Sequence, residues 1–347
     1  MTRVLVVATS RKTRGGITSV IKAHETGEQW QKYHCHWVQT HRDGPAWRKI
    51  LYLLCGLLDY LIRLPFYDII HFHIANYGSC KRKNLFICSA KLFHKKIIVH
   101  LHSSGNESFL SEKYHDIFKY SLNSAHKIIL LSNTWREHIE KNYNIPTERI
   151  EVLYNPCPIV NPSRPDEREQ YILFAGTITH LKGYADLIKA FSKVSSKYPT
   201  WRLKFAGNGE IDRGKELAQN LGVDDKLDFL GWTNKQEKDN AFRHASIFCL
   251  PSYTEGFPMA VLDAWAYGLP VITTPVGGIP DVAQDGKNML LFTPGDIDKL
   301  AEQLERMISD KELRDQISVA SADFEANKFN IKTINKQVGD LYLELSK

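Results

Sequence analysis

The 347-residue sequence has no apolar run long enough to cross a bilayer. Its longest, Ile50–Leu58, is nine residues where a membrane-spanning helix needs about 20. The start, MTRVLVVATS, lacks the apolar core of a secretory signal, and Arg3–Ala8 reads instead as a buried first strand. None of the six cysteines (Cys35, Cys55, Cys80, Cys88, Cys157, Cys249) sits in a C-x-x-C pair. That scatter excludes a disulfide framework and fits reduced, packed thiols in a cytosol. Asn106-Glu107-Ser108 is a glycosylation sequon, idle without a secretory route. No period recurs among the 21 Gly and 14 Pro, so collagen-like and solenoid architectures are excluded. What remains is an ordinary folded composition, 43% hydrophobic and 24% charged, at a length that suits about two domains.

The charge is unevenly spread. Residues 1–160 carry 22 Lys/Arg against 12 Asp/Glu, while the rest carries 23 against 27. The first half is therefore suited to an anionic surface or a phosphorylated substrate, unless its basic residues are simply a solvated face. Apolar β-branched runs at Val4–Ala8, Ile69–His73, Ile97–His102, Lys127–Leu131 and Glu151–Tyr154 alternate with helical patterns near 16–26, 47–63, 82–93, 111–123 and 134–143. Strands that are hydrophobic throughout and separated by helices indicate βαβ units in a parallel sheet. Residues 155–165 hold four prolines and read as a linker. The alternation then restarts, with strands at 171–175, 201–206, 226–230, 247–250 and 270–273 and helices near 182–197, 212–221, 234–243, 258–267 and 296–308. The expected division is 1–160, 161–325 and a terminal helix over 326–347. That helix carries the stripe Val338, Leu341, Tyr342 and Leu345, able to pack on either domain and so to cross back to the first.

The chemistry concentrates in Pro251–Gly268. A strand ends near Leu250, a loop carries Glu255, Pro258 suits a first helical position and Gly268 a C-terminal cap. The amides of Gly256, Phe257, Pro258 and Met259 would then point from a helix N-terminus, where phosphate or sugar oxygens bind readily. Glu255 precedes that helix and Asp263 lies inside it. The bland alternative is a capping acid and a surface acid. His71/His73 and His100/His102 form two H-x-H pairs, each on one strand face. Zinc is the sharp reading of them, but no cysteine or obvious fixed carboxylate accompanies them, so His71 and His73 are expected to be structural or near an acceptor cleft. Asp296-Ile297-Asp298 matches a metal-binding D-x-D, yet its context makes Asp296 a helix cap and Asp298 a first-turn acid.

These segments together resemble a family-4 glycosyltransferase. Glu255 and Asp263 stand where the family has E-x7-E, with Asp for the second Glu. Phe174–Gly183 resembles G-R-L-x-x-x-K-G, and Ala206–Glu210 and Phe229–Gly231 resemble two donor-domain landmarks. Gly277–Asp281 resembles G-G-I-P-E. Gly15-Gly16, Asp68–His73 and His100–His102 match the Gly-rich first loop, the D-x-x-H-x-H strand and the loop histidine. The resemblance implies an α/β GT-B architecture, two Rossmann-like open parallel-sheet domains facing each other across a cleft. It implies sugar transfer from a nucleotide-sugar with retention of anomeric configuration and without a metal or other cofactor.

It also implies roles. Lys182 would neutralise the departing diphosphate, Glu255 would bond donor-sugar hydroxyls, and Asp263 would bond ribose hydroxyls with a shorter reach. His102 would touch the donor sugar, and Gly15 and Gly16 would let the backbone approach the donor. Gly207, Leu230, Gly256, Phe257, Pro258 and Met259 would complete the donor site. Thr177 stands where the family has Arg, so one diphosphate cation is missing. Arg14, Arg11, Lys12 and His180 are the candidates to replace it, Arg14 foremost, brought up by domain closure.

The expected acceptor is a saccharide or lipid-linked saccharide of bacterial surface-polysaccharide assembly, and no nucleic acid is involved. The expected location is cytoplasmic, on the inner face of the membrane where Trp47, Arg48 and Lys49 precede an apolar helix. Most of that helix is expected to pack into the core. A nucleotide-sugar epimerase and a non-catalytic nucleotide-sugar-binding subunit are the competing readings.

Overall fold

The computed structural model describes residues 2–102 and 111–347, so the sequon at 106–108 lies outside the described residues. The chain forms two compact units, Met1–Pro156 with Ile331–Lys347, and Cys157–Asn330. The divisions fall a few residues from the 160/161 and 325/326 read in the sequence. The reason is local: Cys157 N donates to Phe329 O at 2.9 Å. Phe329 in turn packs on Phe257 and Trp265, with ring centroids 5.1 and 5.0 Å away. The second unit thus begins and ends on the same buried aromatic group.

The first unit is a six-stranded sheet in the order β2-β1-β3-β4-β5-β6. Its strands are β1 (Val4–Ala8), β2 (His36–Gln39), β3 (Ile69–Ile74), β4 (Lys96–Leu101), β5 (Lys127–Leu130) and β6 (Ile150–Val152). All neighbours run parallel. Strand alternation sends Leu5, Val7, Ile70, Phe72, Ile97 and Val99 to one core. It sends Val4, Val6, Ile69 and Ile98 to the other. The terminal helix Ile331–Leu345 closes this second face with Ile334, Val338, Leu341 and Tyr342.

The helix Ala46–Arg63 corrects an expectation. It does not bury most of its apolar residues. Gly56 and Tyr60 face inward, and a Cβ at position 56 would lie 2.4 Å from Gln39 O on β2. Contact with this edge strand is therefore made through a narrow side of the helix. Trp47, Ile50, Leu51, Leu54, Leu58, Leu61 and Ile62 form an exposed stripe at helical spacing, continued by Phe66 beyond the helix.

The second unit is also all parallel, in the order β12-β11-β10-β7-β8-β9. Its strands are β7 (Tyr171–Ala175), β8 (Arg202–Ala206), β9 (Leu227–Gly231), β10 (Ile247–Leu250), β11 (Val271–Thr273) and β12 (Leu290–Leu291). Strand order reverses between β1 and β3 in the first sheet and between β7 and β10 in the second. In open parallel sheets, ligands bind beyond the strands' carboxyl ends at such a reversal. The loops there are 9–15 and 75–76 in one unit, and 176–183 and 251–258 in the other.

Candidate active site

The loops after β7 and β10 leave adjacent strands and meet. Tyr253 N donates to Leu181 O at 2.9 Å, which ties one loop to the other. The turn His180–Lys182 then delivers Lys182 to Glu255, with Nζ donating to Oε1 at 2.5 Å. Ser252 Oγ donates to the same oxygen at 2.7 Å. Glu255 is only 7% exposed. Its carboxylate is thus fixed by two donors, whereas Lys182 stays half-buried with access to solvent. An ammonium held this way can turn to an incoming anion while the carboxylate remains an acceptor for hydroxyls.

Two glycines make this packing feasible. A Cβ on Gly277 would stand 2.4 Å from Glu255 O and 2.5 Å from Gly256 O, and Gly278 N donates to Gly256 O at 2.8 Å. The Gly277–Asp281 segment therefore braces the Glu255 loop from behind. A Cβ on Gly207 would stand 1.8 Å from Gly176 O, so the loop after β8 closes on the loop after β7.

Asp263 lies on the helix Met259–Ala266, 8% exposed, and accepts from Lys238 Nζ at 2.6 Å. Burial pushes its carboxyl pKa up, and Lys238 opposes that shift. Pro258 caps this helix from one position before its first turn, instead of occupying that turn, and has no N–H to offer. Gly256 and Phe257 are buried, and Met259 is half-buried. Leu230 and Thr177 are exposed.

Lys238 and Ser252 were not singled out in the sequence. Lys238 sits in the charged run 235–239 of a helix opened by an Asn234–Glu237 capping box, where one lysine looks like any other. Asp296 Oδ1 accepts from Lys299 N at 2.9 Å and caps the helix Ile297–Ser309, while Asp298 pairs with Lys193. His180 stacks on Tyr253 with centroids 5.2 Å apart.

In the first unit, Gly15 is the N-cap of the helix Gly16–His24, directly after the basic loop. Arg11 is committed to a fork with Glu25 and lies 4.7 Å over the Trp37 ring. Arg14, Gly15 and Gly16 are exposed. His102 follows β4, its N–H donating to Ile74 O at 2.7 Å. It ends a column of four imidazoles, with centroid spacings of 4.4 Å for His71–His73, 4.9 Å for His73–His100 and 4.1 Å for His100–His102.

Nitrogens of His71, His73 and His100 lie within 4.8 Å of one another. Yet the ring planes of these three are inclined to one another by only 13–35°. A metal lies close to the plane of an imidazole that binds it, whereas these stacked rings turn their faces to one another. The column fits packing and hydrogen bonding better than coordination.

A model of Glycosyltransferase Family 4 matches residues 4–159, and one of Glycosyl transferases group 1 matches residues 159–323. An uncharacterized glycosyltransferase of Methanocaldococcus jannaschii is 26% identical over 334 residues, covering 91% of this chain and 75% of that protein. The crystal structure of Anabaena HepE in complex with UDP-glucose superposes with a TM-score of 0.79 at 18% identity, over 99% of this chain and 100% of the other. Sucrose-phosphate synthase of Thermosynechococcus elongatus gives 0.83 at 18% identity, over 99% of each chain.

Proposed function

The chain belongs to the family-4 glycosyltransferases and has their GT-B fold, and on that premise we propose that it moves a sugar from a UDP-sugar to an acceptor hydroxyl with retention of configuration. The observation that carries this reading is the Lys182–Glu255–Ser252 group at the strand-order reversal of the second sheet. Lys182 neutralises the diphosphate as the glycosidic bond breaks. Glu255, already oriented, accepts from donor-sugar hydroxyls, and Asp263 accepts from the ribose diol. His102 meets the donor sugar, and Gly15 and Gly16 let the backbone approach it. Gly207, Leu230, Gly256, Phe257 and Met259 line the donor. UDP is favoured as the carrier because the HepE complex holds UDP-glucose on the same fold.

The acceptor oxygen attacks the face from which the phosphate leaves, and its proton passes to a leaving phosphate oxygen. No protein nucleophile is required, so the protein contributes position and charge. Metal independence is part of this reading. Its support is that Asp296 is spent as a cap and Asp298 on Lys193, while lysine serves the diphosphate. Arg14 supplies the second cation in place of the arginine absent at Thr177.

The acceptor is a lipid-linked saccharide of surface-polysaccharide assembly, met at an anionic membrane. Supporting this is the exposed stripe of helix Ala46–Arg63, flanked by Arg48, Lys49 and Arg63. Exposed Leu92, Phe93 and Lys96 lie beside it, since Lys95 Nζ donates to Pro65 O at 3.2 Å. An apolar strip with a basic rim suits lipid acyl chains and their headgroups. No helix among the described residues is long and apolar enough to cross a membrane.

The test is thermal denaturation against a panel of UDP-sugars, GDP-sugars and free nucleotides. A true donor at about 100 times its Kd adds about 2.7 kcal/mol of stability. At least one UDP-sugar should raise Tm by several degrees. A panel in which no UDP-sugar shifts Tm would overturn the donor assignment.

A further inference from the structure

We propose that His73 is a positioning residue that fixes the tautomer of His102, so that His102 Nδ1 is a hydrogen-bond acceptor facing the donor sugar. This rests on the donor-sugar role of His102 given above. Parallel register pairs His73 of β3 with His100 of β4. Alternation then puts His71, His73, His100 and His102 on one face of the sheet, under the terminal helix. Two hydrogen bonds tie this column at its ends. Tyr342 Oη lies 2.8 Å from His71 Nδ1, and His73 Nδ1 lies 2.8 Å from His102 Nε2. The His73 and His102 rings stack at 5.1 Å with planes 17° apart, so the pair is held by both contacts.

The bond between two neutral imidazoles contains one proton, and its position decides both tautomers. Burial keeps both rings neutral: the pKa of His102 is lowered to about 3, and that of His73 is well below its ordinary value. If His73 Nδ1 carries the proton, His102 Nε2 accepts it and both residues are Nδ1–H tautomers. If His102 Nε2 carries it, both are Nε2–H tautomers, the form an alkyl-substituted imidazole prefers in water. The second arrangement gives both rings that preferred form at once. The consequence reaches the carboxyl end of β4: His102 Nε2 is occupied, and Nδ1 is left with a lone pair. That nitrogen accepts from a sugar hydroxyl. His73 reaches the substrate only through His102.

Selective ¹⁵N-histidine labelling of the full chain, with His102 assigned by His102→Gln, reads the tautomer without any substrate. An unprotonated Nδ1 and a protonated Nε2 on His102 are expected. A protonated Nδ1 overturns the proposal. Kinetics on folded variants give the second reading. His73→Phe keeps a stacked ring but removes the acceptor, and kcat should fall at least tenfold with donor KM within threefold of wild type. His73→Asn returns an acceptor oxygen at the place of Nδ1 and should recover kcat to within threefold. Wild-type kcat in His73→Phe, beside a strongly impaired His102→Ala, would overturn the role of His73 and leave that of His102 standing. Full activity in His102→Ala would overturn the donor-sugar role of His102, and the proposal with it.

Discussion

Glu255 and Lys182 form a pair at 2.5 Å, which the proposed reaction requires to be partly surrendered when a diphosphate arrives. Ser252 keeps the carboxylate in place when the ammonium turns away. Removing one well-placed cation from a charge-developing site costs a few kcal/mol in the barrier, so Lys182→Ala should lower kcat by about 10²–10³-fold. Steady-state kinetics check this, and a loss under tenfold would remove Lys182 from the leaving-group role. The exposed Thr177 sets a second expectation. Arg14→Ala should reduce kcat far more than donor affinity, and Thr177→Arg should partly restore it. A kcat for Arg14→Ala within about threefold of wild type would leave that loop's charge a surface feature. Lys182, Glu255 and Asp263 were legible as candidates because each stands in a motif of loop, glycine and helix start. Lys238 and Ser252 were not. Each acts through a partner 25 and 3 residues away, respectively, and no local pattern marks a hydrogen bond made by folding.

Strands β3 and β4, with His102 just beyond β4, gather four buried histidines that make the first unit acid-sensitive. His71, His73 and His100 are held well below their ordinary pKa by burial, and His102 at about 3. Well above pH 6.5 these four histidines are neutral in both the folded and the unfolded chain. Below it the unfolded chain binds protons that the folded chain refuses, so stability falls as pH drops from about 6.5 toward 3. Each such histidine contributes up to about 1.4 kcal/mol per pH unit in that window. Tm followed from pH 7.5 to 4.5 should therefore fall steeply below 6.5, and His100→Leu should flatten the fall. A Tm independent of pH across that window would contradict neutral burial of the column. The helix Ala46–Arg63 shows where reading by element stops. Its period is plain in the sequence, but which face is covered depends on β2, a short strand of His, Trp, Val and Gln that no apolar run announces. Leu54→Glu with Leu58→Glu should abolish co-sedimentation with anionic vesicles while leaving Tm unchanged. Equal binding of wild type to neutral and anionic vesicles would contradict the membrane role.

At the scale of the whole molecule, the alternation of strand and helix showed two successive parallel sheets, because each strand buried on both faces is a continuous apolar run. Strand order was not legible, since it depends on which edge each crossover joins, and with it went the strand-order reversals that place the site. The terminal helix was visible as a stripe that could cross back to the first domain, but the residues it covers there were not. Its partner residues, His24 and His71, are more than 250 positions away, bonded to Asn335 and Tyr342. If lysine rather than a carboxylate-held metal ion serves the diphosphate, as proposed, transfer should be unchanged by EDTA. Activity abolished by EDTA and restored by Mn²⁺ or Mg²⁺ would contradict this. The most direct test of retention is proton NMR of the sugar first released when the purified chain hydrolyses a stabilising UDP-α-sugar, recorded before mutarotation. Attack on the face the phosphate leaves predicts the α anomer first. The β anomer as the first product would contradict that mechanism.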